Sequence, residues 1–416
     1  MPGGRATLFW CALLAVVFGG RLYSTDVAAQ LEVAGSILGQ RPLFTAANGW
    51  VVEGLGGNGY VPHAPGYSLI LLPAAAAGLL TDLAAKPVAA AICALTSAAL
   101  VAAWSGLCGR CNGSPPGAAR MILLALCGMA LVYGRMPFDV TAAAFFCVAA
   151  MNESMDGRHS NAGAALGAAM LVRLDSVVFL PSLVRGRRSL AGLAPGIAAA
   201  LALLGAYNLF RFGSPLEDGH SMDPAMAFSP GLAGLAGLLF SPGKGLLWYA
   251  PAAFIALGRA RDWRLVAPFV ISLVLHSQIR DWTGGTGWGP RFLFTALPPL
   301  LAPLAAPGRA GPLLLAAGAW AVACSSAAVW SDPAAVEQSL GADAFDDPSR
   351  QAVIWKPSRS PLAVSLARIG RGAPDLFPFT AAEVSPAAGA AAGAVQAAAA
   401  AVFAAAALSR SRRILS

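Results

Sequence analysis

Apolar runs recur along almost the whole chain, separated by short polar connectors, and this alternation limits the fold more than any other feature. A helix crosses a bilayer with about 20 predominantly apolar residues, within a range of roughly 17–25. Length alone would suggest two or three soluble domains, but the runs leave no stretch long enough for them. Composition agrees. Of the 416 residues, 57% are hydrophobic and 12% charged, where a soluble domain carries about 25% charged residues. The expected fold is an all-α polytopic membrane protein with about 12 transmembrane helices and outward-facing interfacial helices.

The runs place spans near 7–21, 87–107, 118–135, 137–152, 161–173, 174–184, 189–210, 245–258, 264–279, 291–306, 311–330 and 387–408. The pair 161–173 and 174–184 also reads as one helix interrupted by Arg173 and Asp175. The stretch 66–81 is apolar but short and broken by Pro73, as for a helix dipping into the outer leaflet. The net charge of +8 comes from Arg clusters between runs, at 185–188, 258–264, 307–309 and 409–413. These should face the cytoplasm by the positive-inside rule, which points away from nucleic acid as the partner. The outward connections are then 22–86, the turn near Asp139, 211–244, 280–290 and 331–386, and they are richer in Trp, His, Asp and Gly. The expected division is a transmembrane module at 1–330, an outward segment at 331–386 with acidic Asp343, Asp346 and Asp347, and a final span with a basic cytoplasmic tail at 387–416. The seven cysteines are scattered through apolar runs and do not suggest a disulfide framework. CGRC at 108–111 is a lone pair, where a zinc site would repeat it.

The outward connections hold the residues able to do chemistry. After Asp26, the positions Ala28, Leu31, Val33, Ala34, Ile37 and Leu38 give a helical apolar face. Asp26 would sit at the start of that helix, either favoured there by the dipole or acting as a general base over an interfacial cleft. Asp139 opens another span, as an N-cap or as an ionisable group kept at membrane depth for function. His63 lies in a proline-stiffened turn. Lys244, flanked by glycines just before a span, suits an anionic head group or simple snorkelling. Gly284, Gly285, Gly287 and Gly289 permit close backbone approach, Trp282 and Trp288 offer flat faces, and Arg291 suits bidentate phosphate contact. Four histidines without ligand spacing support a metal weakly; a divalent ion stays open, and no other cofactor is implied.

In order, STDVAAQLEVAGSIL, VPHAPGYSLILLP, RFGSPLEDG, LLFSPGKGLLWYAP and WTGGTGWGPRFLFTALP resemble outward segments of the GT-C superfamily of membrane glycosyltransferases, near the protein mannosyltransferases and lipid A aminoarabinose transferases. The resemblance covers about 20–290. It implies a multi-pass protein of the bacterial inner membrane. Such a protein transfers sugar on its outer face from a polyprenyl-phosphate donor to a glycan, lipid or protein acceptor. Asp26 then matches the catalytic base and Asp139 a second carboxylate. Lys244 and Arg291 meet the donor phosphate, and His63, Trp282 and Trp288 contact substrate. One departure is that Val27 follows Asp26 where many relatives carry an acidic pair. A lipid-linked-sugar transporter would show internal repeats and helices broken at the midplane. A non-catalytic subunit of the same fold would lack the base.

Overall fold

The computed structural model describes residues 4–81, 83–341 and 353–415, and the side chains within them up to residue 409. Asp343, Asp346 and Asp347 lie outside the described residues. The chain is mainly helical, with one two-stranded antiparallel ribbon, Val52–Glu53 (β1) with Gly59–Tyr60 (β2), in the first outward connection.

Four described helices are long and apolar enough to cross a bilayer unaided: Ala85–Asn112, Arg187–Phe212, Pro312–Trp330 and, within Pro386–Leu415, the stretch Pro386–Ser409. The expectation of about 12 spans is not matched by continuous helices of that length among the described residues. In chain order the helices of ten or more residues are α1 (Gly4–Val16), α2 (Thr25–Ile37), α3 (Ala85–Asn112), α4 (Ala118–Cys127), α5 (Asp139–Met155), α6 (His159–Val172), α7 (Arg187–Phe212), α8 (Trp263–Ser277), α9 (Pro312–Trp330) and α10 (Pro386–Leu415). The other apolar runs fold in pieces. The run 118–135 breaks after α4 at Met129, whose φ of 60° is left-handed, before resuming as Ala130–Arg135. The run 245–258 splits into Leu246–Tyr249 and Ala252–Leu257 around Pro251, which lacks the N–H a continuous helix needs. The run 291–306 is a chain of short turns, Arg291–Ala296, Leu297–Leu301 and Ala302–Ala305. The stretch 66–81 forms two short helices, Gly66–Ile70 and Leu72–Leu80, split just before Pro73.

The 161–184 pair resolves as α6, a break at Arg173, a 3-10 segment Leu174–Phe179 and one turn Leu180–Leu183. Arg173 is extended, with φ −149° and ψ 116°. Breaks of this kind are tolerated at membrane depth only where protein or a water-lined cavity surrounds them.

Small residues let α6 and α7 approach closely. A side chain at Gly163 would strike the backbone of Leu193, and one at Gly196 the backbone of Gly163. Gly163 and Gly167 form a GxxxG face on α6. By contrast, Leu201, Leu203, Val395 and Val402 on α7 and α10 are more than half exposed, as lipid-facing positions should be.

Charge separates the two ends of the bundle. At one end Arg110 pairs with Asp156 and Arg158 with Glu153, while Arg120 donates to the carbonyls of Leu304 and Gly308. Arg185 and Asp262 both act on Cys111 there. The basic clusters 185–188, 258–264 and 307–309 thus gather at one end, as their shared sidedness required. CGRC sits at that end, and all seven cysteines are free thiols. The opposite end holds α2, the ribbon, the loop carrying Gly284, Gly285, Gly287 and Gly289 (the glycine loop) and a large cavity.

Candidate functional site

Ser24 accepts the backbone N–H of Asp26 at 3.1 Å and so starts α2 with Asp26 in its first turn. Val27, Val33 and Ala34 are buried along one face of α2. That face lies in the protein core, so Val27 fills a packing position where an acidic neighbour would be costly. Asp26 points instead to the cavity, where Arg291 Nη1 donates to its Oδ2 at 2.9 Å. Burial alone would raise the Asp26 pKa, but Arg291, His63 and Arg173 outweigh it and hold the carboxyl below the ordinary aspartate range. Asp26 is therefore ionised at neutral pH.

The cavity has a volume of about 820 Å³. A second ionic group stands in its wall. Arg173, at the break after α6, donates to both oxygens of Asp139 at 3.1 and 3.2 Å and to Asp175 at 3.1 and 2.8 Å. The N-cap position of α5 falls to Phe138, with no side-chain cap bond, so Asp139 is not the cap; it occupies the first turn, which the dipole favours, and its side chain reaches the cavity. His276, near the end of α8, closes the chain of contacts: Nε2 lies 3.1 Å from Asp175 Oδ2 and Nδ1 2.8 Å from the Ser272 carbonyl. Phe292 stacks on His276 with centroids 4.4 Å apart, and both Arg173 and Arg291 approach its ring within 6 Å. Two guanidiniums thus flank one aromatic ring, each tied to a carboxylate.

A further part of the wall comes from loops. Trp50 meets His63 and His220 edge-on, each at 5.3 Å between centroids, and Asp218 lies 3.2 Å from His220. Burial pushes the His63 imidazole down to about 4, against the pull of Asp26 and Asp139. Arg211 stacks on Tyr207 at 3.8 Å and donates to the Val61 carbonyl, which fixes the turn carrying His63.

Asp26, His63, Asp139 and Arg291 therefore share one cavity, although they lie far apart in the chain. The other three expected site residues are placed elsewhere. Lys244 is buried against Glu337 at 2.5 Å and does not line the cavity, because its ammonium is consumed by protein partners rather than left at an interface. Trp288 is buried against Tyr249, and Trp282 packs over Gly237 and beside Trp355; neither lines the cavity. Arg173, Asp175 and His276 were not singled out as site residues. Their signal was present, since each is an ionisable group inside an apolar run, and such groups mark function at membrane depth. Among the described residues, no group of three or more His, Cys, Asp or Glu side chains is placed to hold a metal ion.

The whole chain superimposes on ArnT from Cupriavidus metallidurans bound to undecaprenyl phosphate, with a TM-score of 0.54 at 14% identity, over 98% of this chain and 77% of that one. It has the ArnT fold. The apo structure of the same ArnT aligns over 95% of this chain and 74% of its own, at 15% identity and a TM-score of 0.49. No family model and no curated protein matches the chain. At this identity the likeness concerns the fold alone.

Proposed function

We propose that the chain is a membrane glycosyltransferase that moves a sugar from a polyprenyl-phosphate donor to an acceptor hydroxyl. The observation that carries this reading is the Asp26–Arg291 pair in the wall of a cavity shared with Arg173 and Asp139. A base and phosphate-binding cations are what the reaction asks of a protein, and here they lie side by side. The ArnT whose fold the chain shares is bound to undecaprenyl phosphate, which supports a lipid donor of that class. The cavity lies at the end away from the Arg clusters, which supports an outward-facing site in a bacterial inner membrane.

The chemistry runs as one displacement. The acceptor oxygen attacks the anomeric carbon from the face opposite the phosphate and forms the new glycosidic bond. The carbon–oxygen bond to phosphate breaks, and its electron pair leaves on polyprenyl phosphate. The acceptor proton passes to Asp26, so the anomeric centre is inverted. Arg291 and Arg173 stabilise the departing phosphate, which needs cations rather than a general acid. Arg291 lies on Asp26. A donor phosphate competes for that guanidinium and releases Asp26 as a stronger base. Asp139 keeps Arg173 in the cavity wall.

The test is transfer by purified protein in lipid nanodiscs, offered radiolabelled polyprenyl-phosphate sugars and glycan, lipid or peptide acceptors. Label should move to an acceptor and free polyprenyl phosphate should appear. Asp26→Asn should still bind donor while turnover falls by about 10²–10⁴-fold, as for a lost acid–base group. Retention of more than about a third of turnover, far above that range, removes Asp26 as the base.

A further inference from the structure

A buried ion pair joins the glycine loop to the segment that follows α9. Lys244 Nζ lies 2.5 Å from Glu337 Oε1, and both side chains are 2% exposed. The same ammonium donates to the carbonyls of Gly285 at 2.9 Å and Gly287 at 2.8 Å. The second Glu337 oxygen accepts the Gly287 N–H at 2.9 Å. One ion pair thus holds three backbone groups of a single short stretch.

That stretch needs holding. Gly284, Gly285 and Gly289 all have positive φ, between 60° and 75°, which glycine reaches freely but does not prefer. Gly284, Gly285 and Thr286 line the cavity, and Arg291 follows in the same loop. Desolvating two charges is expensive, and replacing a buried pair by apolar side chains is often neutral or stabilising. Stability is therefore a poor reason for the pair, whereas selecting one loop conformation is a good one. Glu337 lies in the short helix Pro333–Ser339, whose next residue, Gln338, also lines the cavity.

We propose that Lys244 and Glu337 are positioning residues that latch the glycine loop in the conformation presenting its backbone and Arg291 to the cavity, and that dock Pro333–Ser339 so that Gln338 completes the wall. The inference rests on reading the cavity as the donor site. It assigns Lys244 a role in place of the phosphate contact expected from its glycine-flanked sequence.

The full-length protein in nanodiscs tests it with two variants, Lys244→Met/Glu337→Leu and Glu337→Asp. Three quantities are measured: thermal stability, hydrogen exchange across residues 283–291, and affinity for undecaprenyl phosphate. The double variant should unfold near the wild-type temperature, yet loop exchange should rise about tenfold or more as local opening becomes easier. Its undecaprenyl phosphate Kd should rise about tenfold, which corresponds to about 1.4 kcal/mol. Glu337→Asp, one methylene short, should shift both readouts in the same direction by less. A pair that merely stabilised the fold would, once replaced, lower the unfolding temperature and leave affinity unchanged. A folded double variant with wild-type loop exchange and wild-type affinity overturns the latch. If the double variant does not fold, unchanged loop exchange in Glu337→Asp overturns it instead. Should the wild-type protein bind no undecaprenyl phosphate, the donor-site reading fails, and loop exchange alone decides the latch.

Discussion

At the scale of single residues, the site is a set of arginines each shared with carboxylates. Arg173 serves both Asp139 and Asp175, whereas Arg291 serves Asp26. Arg173→Ala should therefore be the more damaging substitution, since it leaves buried Asp139 without its cation and Asp175 with His276 alone. A cost of about 3–5 kcal/mol is expected for breaking a buried pair from one side, read as a large drop in unfolding temperature. Arg291→Ala should fold better and lose donor affinity instead; equal stability losses in the two variants would contradict this ranking. His63 supplies a pH signature. In the unfolded chain its imidazole takes up a proton near 6.5, but in the folded protein burial delays this to about 4. Between those values the unfolded state binds more protons, so stability must fall as pH drops from about 6.5 to about 4, and the loss is absent above that window. His63→Phe should flatten the dependence of unfolding temperature on pH within the window. An unchanged slope would show that another group is responsible. Asp26, Asp139, His63 and Arg291 were legible in the sequence because each sits at the edge of an apolar run. Lys244 has the same local signature, yet Glu337, 93 positions away in the chain (337 − 244), claims it in the fold.

At the scale of elements, apolar periodicity located the helices but not their breaks. The run 118–135 contains no proline and still breaks at Met129, which adopts a left-handed conformation that no local propensity foretells. The break at Arg173 was legible, because an arginine followed by an aspartate cannot sit in hydrocarbon unpaired. That its purpose is to turn Arg173 toward Asp139 and Asp175 required the packing of α6 against α5 and α7. α6 meets α7 at Gly163 and Gly196. Gly196→Val would put side-chain atoms into the Gly163 backbone and force the helices apart. Overpacking of this kind costs about 1–3 kcal/mol. The expected outcome is a lowered unfolding temperature together with reduced undecaprenyl phosphate affinity, as Arg173 is carried out of the cavity wall. A Gly196→Val protein with wild-type stability would mean that the contact is looser than its geometry shows.

At the scale of the whole molecule, the Arg clusters and the cavity lie at opposite ends, which makes sidedness testable. In a cysteine-free background, a cysteine at Gln40, exposed beside the cavity end, should react with a membrane-impermeant maleimide in intact cells. One at Arg187 should react only after the membrane is opened; labelling at Arg187 from outside would invert the topology. Hydropathy and charge add along a chain, so the apolar helices and the gathering of basic clusters at one end of the bundle followed from the sequence alone. Span number did not, because a run of fixed composition can be one long helix, as in α3, or several short ones, as at 291–305, according to what packs around it. Pairings depend on that packing even more. Asp26 and Arg291 are 265 positions apart and meet only because α2 and the glycine loop close the same end of the bundle. A charge buried in a fold needs a partner, and tertiary structure alone decided which partner Asp26, Arg173 and Lys244 each found.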